Sequence, residues 1–327
     1  MRRAAFVVLW CACTMAARDR VGTIDFYGYK GIAAESVRRA LPFHTGDPYT
    51  SQTKPQARET VQQIVGRPAT DVEAICCDQN GDRSIFIGLP GASSKPFAYN
   101  AAPGGAVRLP QDLLNLQRQI DATMHAAVAA GRAEEDDSEG YALAKDPEWR
   151  ALELQLRAYV LEHEKEVYAV LESSSNNKHR EYAANALGYG RQAPEQVAAL
   201  LRAGSDPNDG VRDEAVRALG CLANKPEIRK LIPPDLFVGM MNSGIWTDRN
   251  KGGMVLRSLT ESRDPKLLGR LRGEALDSII EMARWKDLGH ALDGVVIFAR
   301  LAGTTDDKAL DASRISDEAM LALLPGK

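Results

Sequence analysis

The sequence predicts a small α+β domain joined to an all-α stack of paired helices. Three observations carry this reading. Residues 21–90 mix strand and helix patterns, whereas helical patterns dominate from residue 111 onward. The segment REYAANALG at 180–188 returns as RDEAVRALG at 212–220, an offset of 32 positions from Arg180 to Arg212. Such self-similarity marks a repeat architecture. Aromatic residues make up only 6% of the chain, while alanine and leucine crowd its second half. That bias suits helices in close contact.

The first residues read as an export signal, assigned to 1–17. Arg2 and Arg3 precede an apolar run over 4–13, too short to cross a bilayer, which takes about 20 residues in a helix. Thr14-Met15-Ala16 supplies small residues for cleavage after Ala16 or Ala17. Two other readings stay open: a buried or uncleaved helix, and a lipoprotein lipidated at Cys13. The expected location is periplasmic or secreted. Loss of Arg2 and Arg3 leaves 39 basic against 44 acidic residues. This mild acidity speaks against nucleic acid or an anionic membrane surface as partner, since both need a basic footprint. No later segment is apolar enough to span a membrane. Cys76, Cys77 and Cys221 remain, too few for a disulfide framework. Cys76 and Cys77 are neighbours on one expected strand, so two free thiols are expected, with a redox pair as the alternative.

Residues 21–27 alternate with β-formers and read as a strand. A helix is expected over 33–41, with Val37, Ala40 and Leu41 on one face, ended by Pro42. Ser51 is expected to cap a second helix running to Val65, with Ala57, Val61, Ile64 and Val65 inward. Residues 71–77 and 83–89 read as two strands about the hairpin signal Asn80-Gly81. The order is β-α-α-β-β, with Ile24, Phe26, Val37, Leu41, Val61, Ile64, Ile75 and Ile85 in one core. The strings VGTIDFYGYKGI and SVRRALPFHTGDPYT within this region resemble a POTRA domain. The resemblance covers about 70 residues and implies a docking module that adds a partner strand to a sheet edge. Such domains usually precede a membrane barrel, and none follows here.

Residues 91–110 are rich in Gly, Pro, Ala and Ser and read as a linker. Residues 111–147 read as an amphipathic helix, with Leu113, Leu116, Ile120, Met124 and Val128 about a turn apart, then a solvated acidic loop at 133–140. Residues 148–324 are assigned to the helical stack. A looser third copy of the repeat begins at Arg249, 37 positions after Arg212, and a weaker fourth near His290. Each copy follows a shorter helix and a turn. One helix pair cannot bury its apolar face alone, and stacked pairs can.

The unit DPNDGVRDEAVRALGCLA, from Asp206 to Ala223, is similar to a HEAT repeat: an Asp-Pro turn, then Asp209 and Arg212 three apart, then an Ala/Leu helix. Asn177 and Arg180 repeat that spacing. The third unit departs, with Trp246 at the polar position and Gly252-Gly253 weakening its helix. The resemblance implies a HEAT-like α-solenoid offering a curved surface to a protein partner.

No reactive constellation emerges. His44, His125, His163, His179 and His290 lack metal-ligand spacing. Residues 78–82 read as a hairpin turn rather than a calcium loop. No cofactor or metal is expected, and the chain reads as a non-enzyme. Arg180, Arg212 and Arg249 have two readings, a row of cations facing an acidic partner or a ladder of Asp–Arg contacts that ties adjacent repeats together. The ladder is favoured. Trp246 and Trp285 are candidate contact aromatics or core residues. The expected function is an exported interaction scaffold of the cell envelope, using the repeat surface and a sheet edge. The alternatives are an extracytoplasmic enzyme or its accessory subunit, and a secreted structural or inhibitory protein.

Overall fold

The computed structural model describes residues 19–78, 80–306 and 317–324. The export signal and Cys13 lie outside the described residues. The N-terminal part runs β1 (Val21–Tyr27), α1 (Ala34–Ala40), α2 (Thr53–Val65), β2 (Asp71–Cys76) and β3 (Arg83–Gly88). The sheet order is β1-β3-β2, with β1 parallel and β2 antiparallel to β3.

Side chains alternate across a strand, so each strand serves two faces. On one face Ile24, Phe26, Ile85 and Ile87 meet Val37, Leu41, Ala57 and Val61 from the α1 and α2 region. On the other, Tyr27 and Phe86 join the core of the helical half, and Ile75 packs against it. Ile75 therefore leaves the core expected for it. Ile64 does too: it is 48% exposed at the end of α2, where Val65 packs on the core instead. Helix α2 starts at Thr53 without a side-chain cap from Ser51. Cys76 and Cys77 are disulfide-bonded, against the expectation of free thiols. Cys77 lies beyond the end of β2, so strand alternation does not part the two side chains. Cys221 is free and buried, and burial pushes its thiol up to about 11.

The chain continues through α3 (Gln111–Ala129), β4 (Glu135–Asp136), β5 (Leu143–Ala144), α4 (Pro147–Ser173), α5 (Asn177–Gly188), α6 (Pro194–Ala203) and α7 (Asp209–Leu222). Then come α8 (Pro226–Arg229), α9 (Asp235–Met241), α10 (Trp246–Leu259), α11 (Pro265–Glu274), α12 (Leu276–Ala283), α13 (Leu288–Leu301) and α14 (Asp317–Ala322). Helices pair as α4/α5, α6/α7, α9/α10 and α12/α13, while α5, α7, α10 and α13 stack side by side. The repeat is visible at the caps. Asn176 accepts from the His179 N–H, and Asn208 accepts from the Val211 N–H. These caps satisfy donors that the first turn leaves open. Ala183, Leu187, Ala215 and Leu219 are fully buried between the stacked helices. The glycines of the third unit permit close packing. A Cβ on Gly252 would stand 2.9 Å from the Met240 Cβ, and one on Gly253 2.9 Å from the Met282 sulfur.

Two expected loose segments are fastened down. Residues 91–110 form an extended strap along the row of interhelical turns. The Lys95 N–H donates to the Asn242 carbonyl at 2.7 Å, Asn100 to Ser205 at 2.7 Å, and Gly105 to Ser173 at 2.8 Å. The strap therefore passes the turns before α10, α7 and α5 in reverse chain order, and ends where the Leu109 N–H donates to His179 Nδ1 at 2.9 Å. Small residues suit an extended backbone pressed on a surface as well as they suit a loose linker. The acidic loop forms the β4–β5 hairpin. Glu135 pairs with Arg217, and the Glu139 carbonyl accepts from Gln192 at 2.5 Å.

Candidate partner-binding surface

Arg180, Arg212 and Arg249 begin at equivalent places on α5, α7 and α10, and each turns inward. Their exposures are 2%, 2% and 0%. Each guanidinium reaches back six positions to a turn carbonyl: Arg180 to Ser174 at 2.8 Å, Arg212 to Asp206 at 2.9 Å, and Arg249 to Ser243 at 2.6 Å. Each also reaches forward to an acid of a later unit. Arg180 grips Asp206 through two bonds of 2.8 and 2.9 Å, Arg212 meets Asp248 at 2.7 Å, and Arg249 meets Glu281 at 2.8 Å. A buried charge needs both a counter-charge and satisfied donors. The ladder supplies both and fixes the register of the stack. The row of cations facing an acidic partner is thereby corrected, because the guanidinium groups are inside the molecule. The rung acids are not the Asn177 and Asp209 of the three-residue spacing. Those two are exposed.

The two tryptophans are also buried, at the junction with the N-terminal sheet, so they are core residues and not contact aromatics. Trp246 lies against Phe86 and His290, with ring centroids 5.1 Å from each. Trp285 packs on Phe86 and its Nε1–H donates to the Phe26 carbonyl at 3.1 Å. Around them carboxylates tie the two regions. Glu281 accepts from the Gly28 N–H at 2.7 Å, the Tyr29 N–H at 3.0 Å and the Ser93 hydroxyl at 2.5 Å, in addition to Arg249. Asp25 accepts from the Lys286 N–H at 2.9 Å and the Asp287 N–H at 3.2 Å, and burial raises its pKa. None of Glu281, Asp25, Trp246 or Trp285 could be paired from local spacing, since their partners lie far away in sequence.

Residues 164–233 match the family described as HEAT repeats. The matched stretch holds the end of α4 and α5 through α8, including the rung from Arg180 to Asp206. The HEAT-like solenoid thus has a matched centre, and α9 to α13 continue its packing beyond. No curated protein matches the chain.

With the arginines and tryptophans internal, the available surface lies elsewhere. A cleft of about 660 Å³ opens between the β1–α1 region and α12, with Tyr29, Lys30, Arg38, Asp277, Arg284 and Lys286 among its walls. Asp25 and Glu281 line it too, but their oxygens are committed to the junction bonds above. A second polar cluster is enclosed beneath the acidic hairpin. There Glu153 accepts from the Ala144 N–H at 2.7 Å and the Tyr189 hydroxyl at 3.0 Å, and burial raises its pKa to about 7. The cavity beside it is only about 80 Å³, room for water and not for a substrate. The edge of β1 is closed. Its alternate carbonyls at Gly22, Ile24 and Phe26 accept from Thr45, Arg38 and Trp285. Among the described residues no strand pairs with the other side of β2. No described helix is long and apolar enough to cross a membrane.

Proposed function

We propose that the protein is an exported interaction scaffold of the cell envelope, and that its N-terminal part is a POTRA-like docking module. The observation that carries the scaffold reading is the stacked, laddered helical repeat of the matched region. Repeats of this kind generally serve as protein–protein interaction surfaces. A rigid stack holds its exposed side chains in fixed relation, which lowers the ordering cost of binding an extended partner. The POTRA-like reading is supported by the β-α-α-β-β order and by strands 21–27 and 83–88 lying in one sheet. On this reading β2 offers the edge for strand addition, since side chains occupy the β1 edge. Export rests on the first 17 residues alone.

The test uses photo-crosslinking residues placed singly at Glu73 on β2 and at Lys286 in the junction cleft, in cells fractionated after irradiation. The expected result is a discrete protein adduct in the envelope fraction from at least one position, with a mature N-terminus after residue 16 or 17. A cytosolic protein retaining Met1, with no adduct at either position, would remove the proposal.

A further inference from the structure

Cys76 and Cys77 are joined to each other at the end of β2. A bridge between sequence neighbours closes almost no loop of chain. It therefore supplies little of the unfolded-state constraint through which disulfides stabilise proteins. Both cysteines are exposed. An exposed disulfide is open to attack by an outside thiolate, and labile or regulatory pairs are of this kind. The other cysteine among the described residues offers no partner within the chain. Cys221 is buried on α7, and burial pushes its thiol up to about 11.

The pair also sits where it can act. Cys76 stands opposite Arg83 in the last pair of the β2–β3 ladder. Continued in step, the ladder would set Cys77 opposite Asp82. Instead the Asp78 N–H donates to the Asp82 carbonyl at 2.8 Å, and Cys77 is stepped over. Neighbouring side chains of a regular strand point to opposite faces, so the bridge and a ladder through Cys77 exclude each other. Among the described residues β2 is also the strand whose other side is unpaired.

We propose that Cys76–Cys77 is a redox switch on the β2 edge, opened by a dithiol reductant. One thiolate of the reductant attacks a bridge sulfur and breaks the Sγ–Sγ bond, forming a mixed disulfide. The second thiolate of the reductant then attacks the reductant sulfur of that bond, and the reductant leaves as its own disulfide. Two electrons and two protons pass to Cys76 and Cys77. With the thiols free to point to opposite faces, the ladder runs on through Cys77 and lengthens β2. The consequence for docking rests on the strand-addition reading above, whereas the exchange and the strand extension do not.

The experiment places the full chain, without denaturant, in reduced and oxidised dithiothreitol at varied ratio. Free thiols are alkylated and mapped residue by residue, and hydrogen exchange over 77–82 is read by mass spectrometry. Cys76 and Cys77 are expected to be unlabelled in the oxidised reagent and labelled together as the ratio rises, with Cys221 unlabelled throughout. Exchange over 77–82 is expected to slow about tenfold on reduction. A chain carrying both Cys76→Ser and Cys77→Ser is expected to show the slow exchange at every ratio, and thermal melts check its folding. Labelling of both cysteines before reductant is added, resistance to reductant until the chain unfolds, or exchange over 77–82 unchanged or faster on reduction would overturn the switch. No partner enters these readouts, so such a failure strikes the switch and leaves the docking reading standing.

Discussion

The Arg180–Asp206 rung and the Arg249–Glu281 rung do the same job with different neighbours. The first joins two adjacent repeats through an acid in the turn between them, and its contacts stay within the stack. The second uses an acid on α12 whose oxygens also hold two backbone N–H groups of the N-terminal domain and the Ser93 hydroxyl, while Arg249 reaches the Ser93 carbonyl at 2.6 Å. One rung joins repeat to repeat, and the other joins repeat, strap and sheet. The contrast explains why the repeat is plain at 164–233 and blurred afterwards. Where a helix pair packs only on another pair, similar faces need similar residues. Where it also packs on a sheet, Trp246, Trp285 and the close-approach glycines answer to the sheet.

The comparison can be broken by removing each acid. Glu281→Ala leaves Arg249 buried without its counter-charge and two N–H groups without acceptors, so a loss of about 4–5 kcal/mol is expected in urea unfolding. Asp206→Ala removes a two-bonded partner within the stack alone, and about 3 kcal/mol is expected. An equal or larger loss at Asp206 would mean that the junction rung has no added role.

A pH effect separates the enclosed cluster from both rungs. The Glu153 carboxyl is raised from 4.5 to about 7 by burial. Between these values the folded chain holds more protons at this site than the unfolded chain, so stability falls as pH rises across that window. Glu153→Gln is expected to flatten the pH dependence by roughly 3 kcal/mol between pH 4.5 and 8, read from unfolding midpoints. The smallest effect belongs to the surface. Arg202 and Glu172 form a half-exposed pair, and Arg202→Ala is expected to change stability by about 0.5 kcal/mol or less.

The parts legible in the sequence were those governed by local period. The Ala183/Leu187 and Ala215/Leu219 faces, the strand alternation of Ile24, Phe26 and Ile85, and the recurrence of Arg180, Arg212 and Arg249 all follow from spacing, whereas the acids that complete the rungs do not. The strap was not legible, because Gly, Pro, Ala and Ser suit an extended segment on a surface and a free linker equally. The roles of Trp246 and Trp285 were open for a different reason. Their neighbours Phe86 and Phe26 stand more than a hundred residues away, and no periodicity links them.

The central claim is that sheet and helical stack form one body through Glu281. Hydrogen exchange followed by mass spectrometry, comparing Glu281→Ala with Asp206→Ala, measures this directly. Glu281→Ala is expected to lose protection over 21–27 and 83–88 while Asp206→Ala keeps it. Protection of both strands unchanged in a folded Glu281→Ala chain would contradict the account.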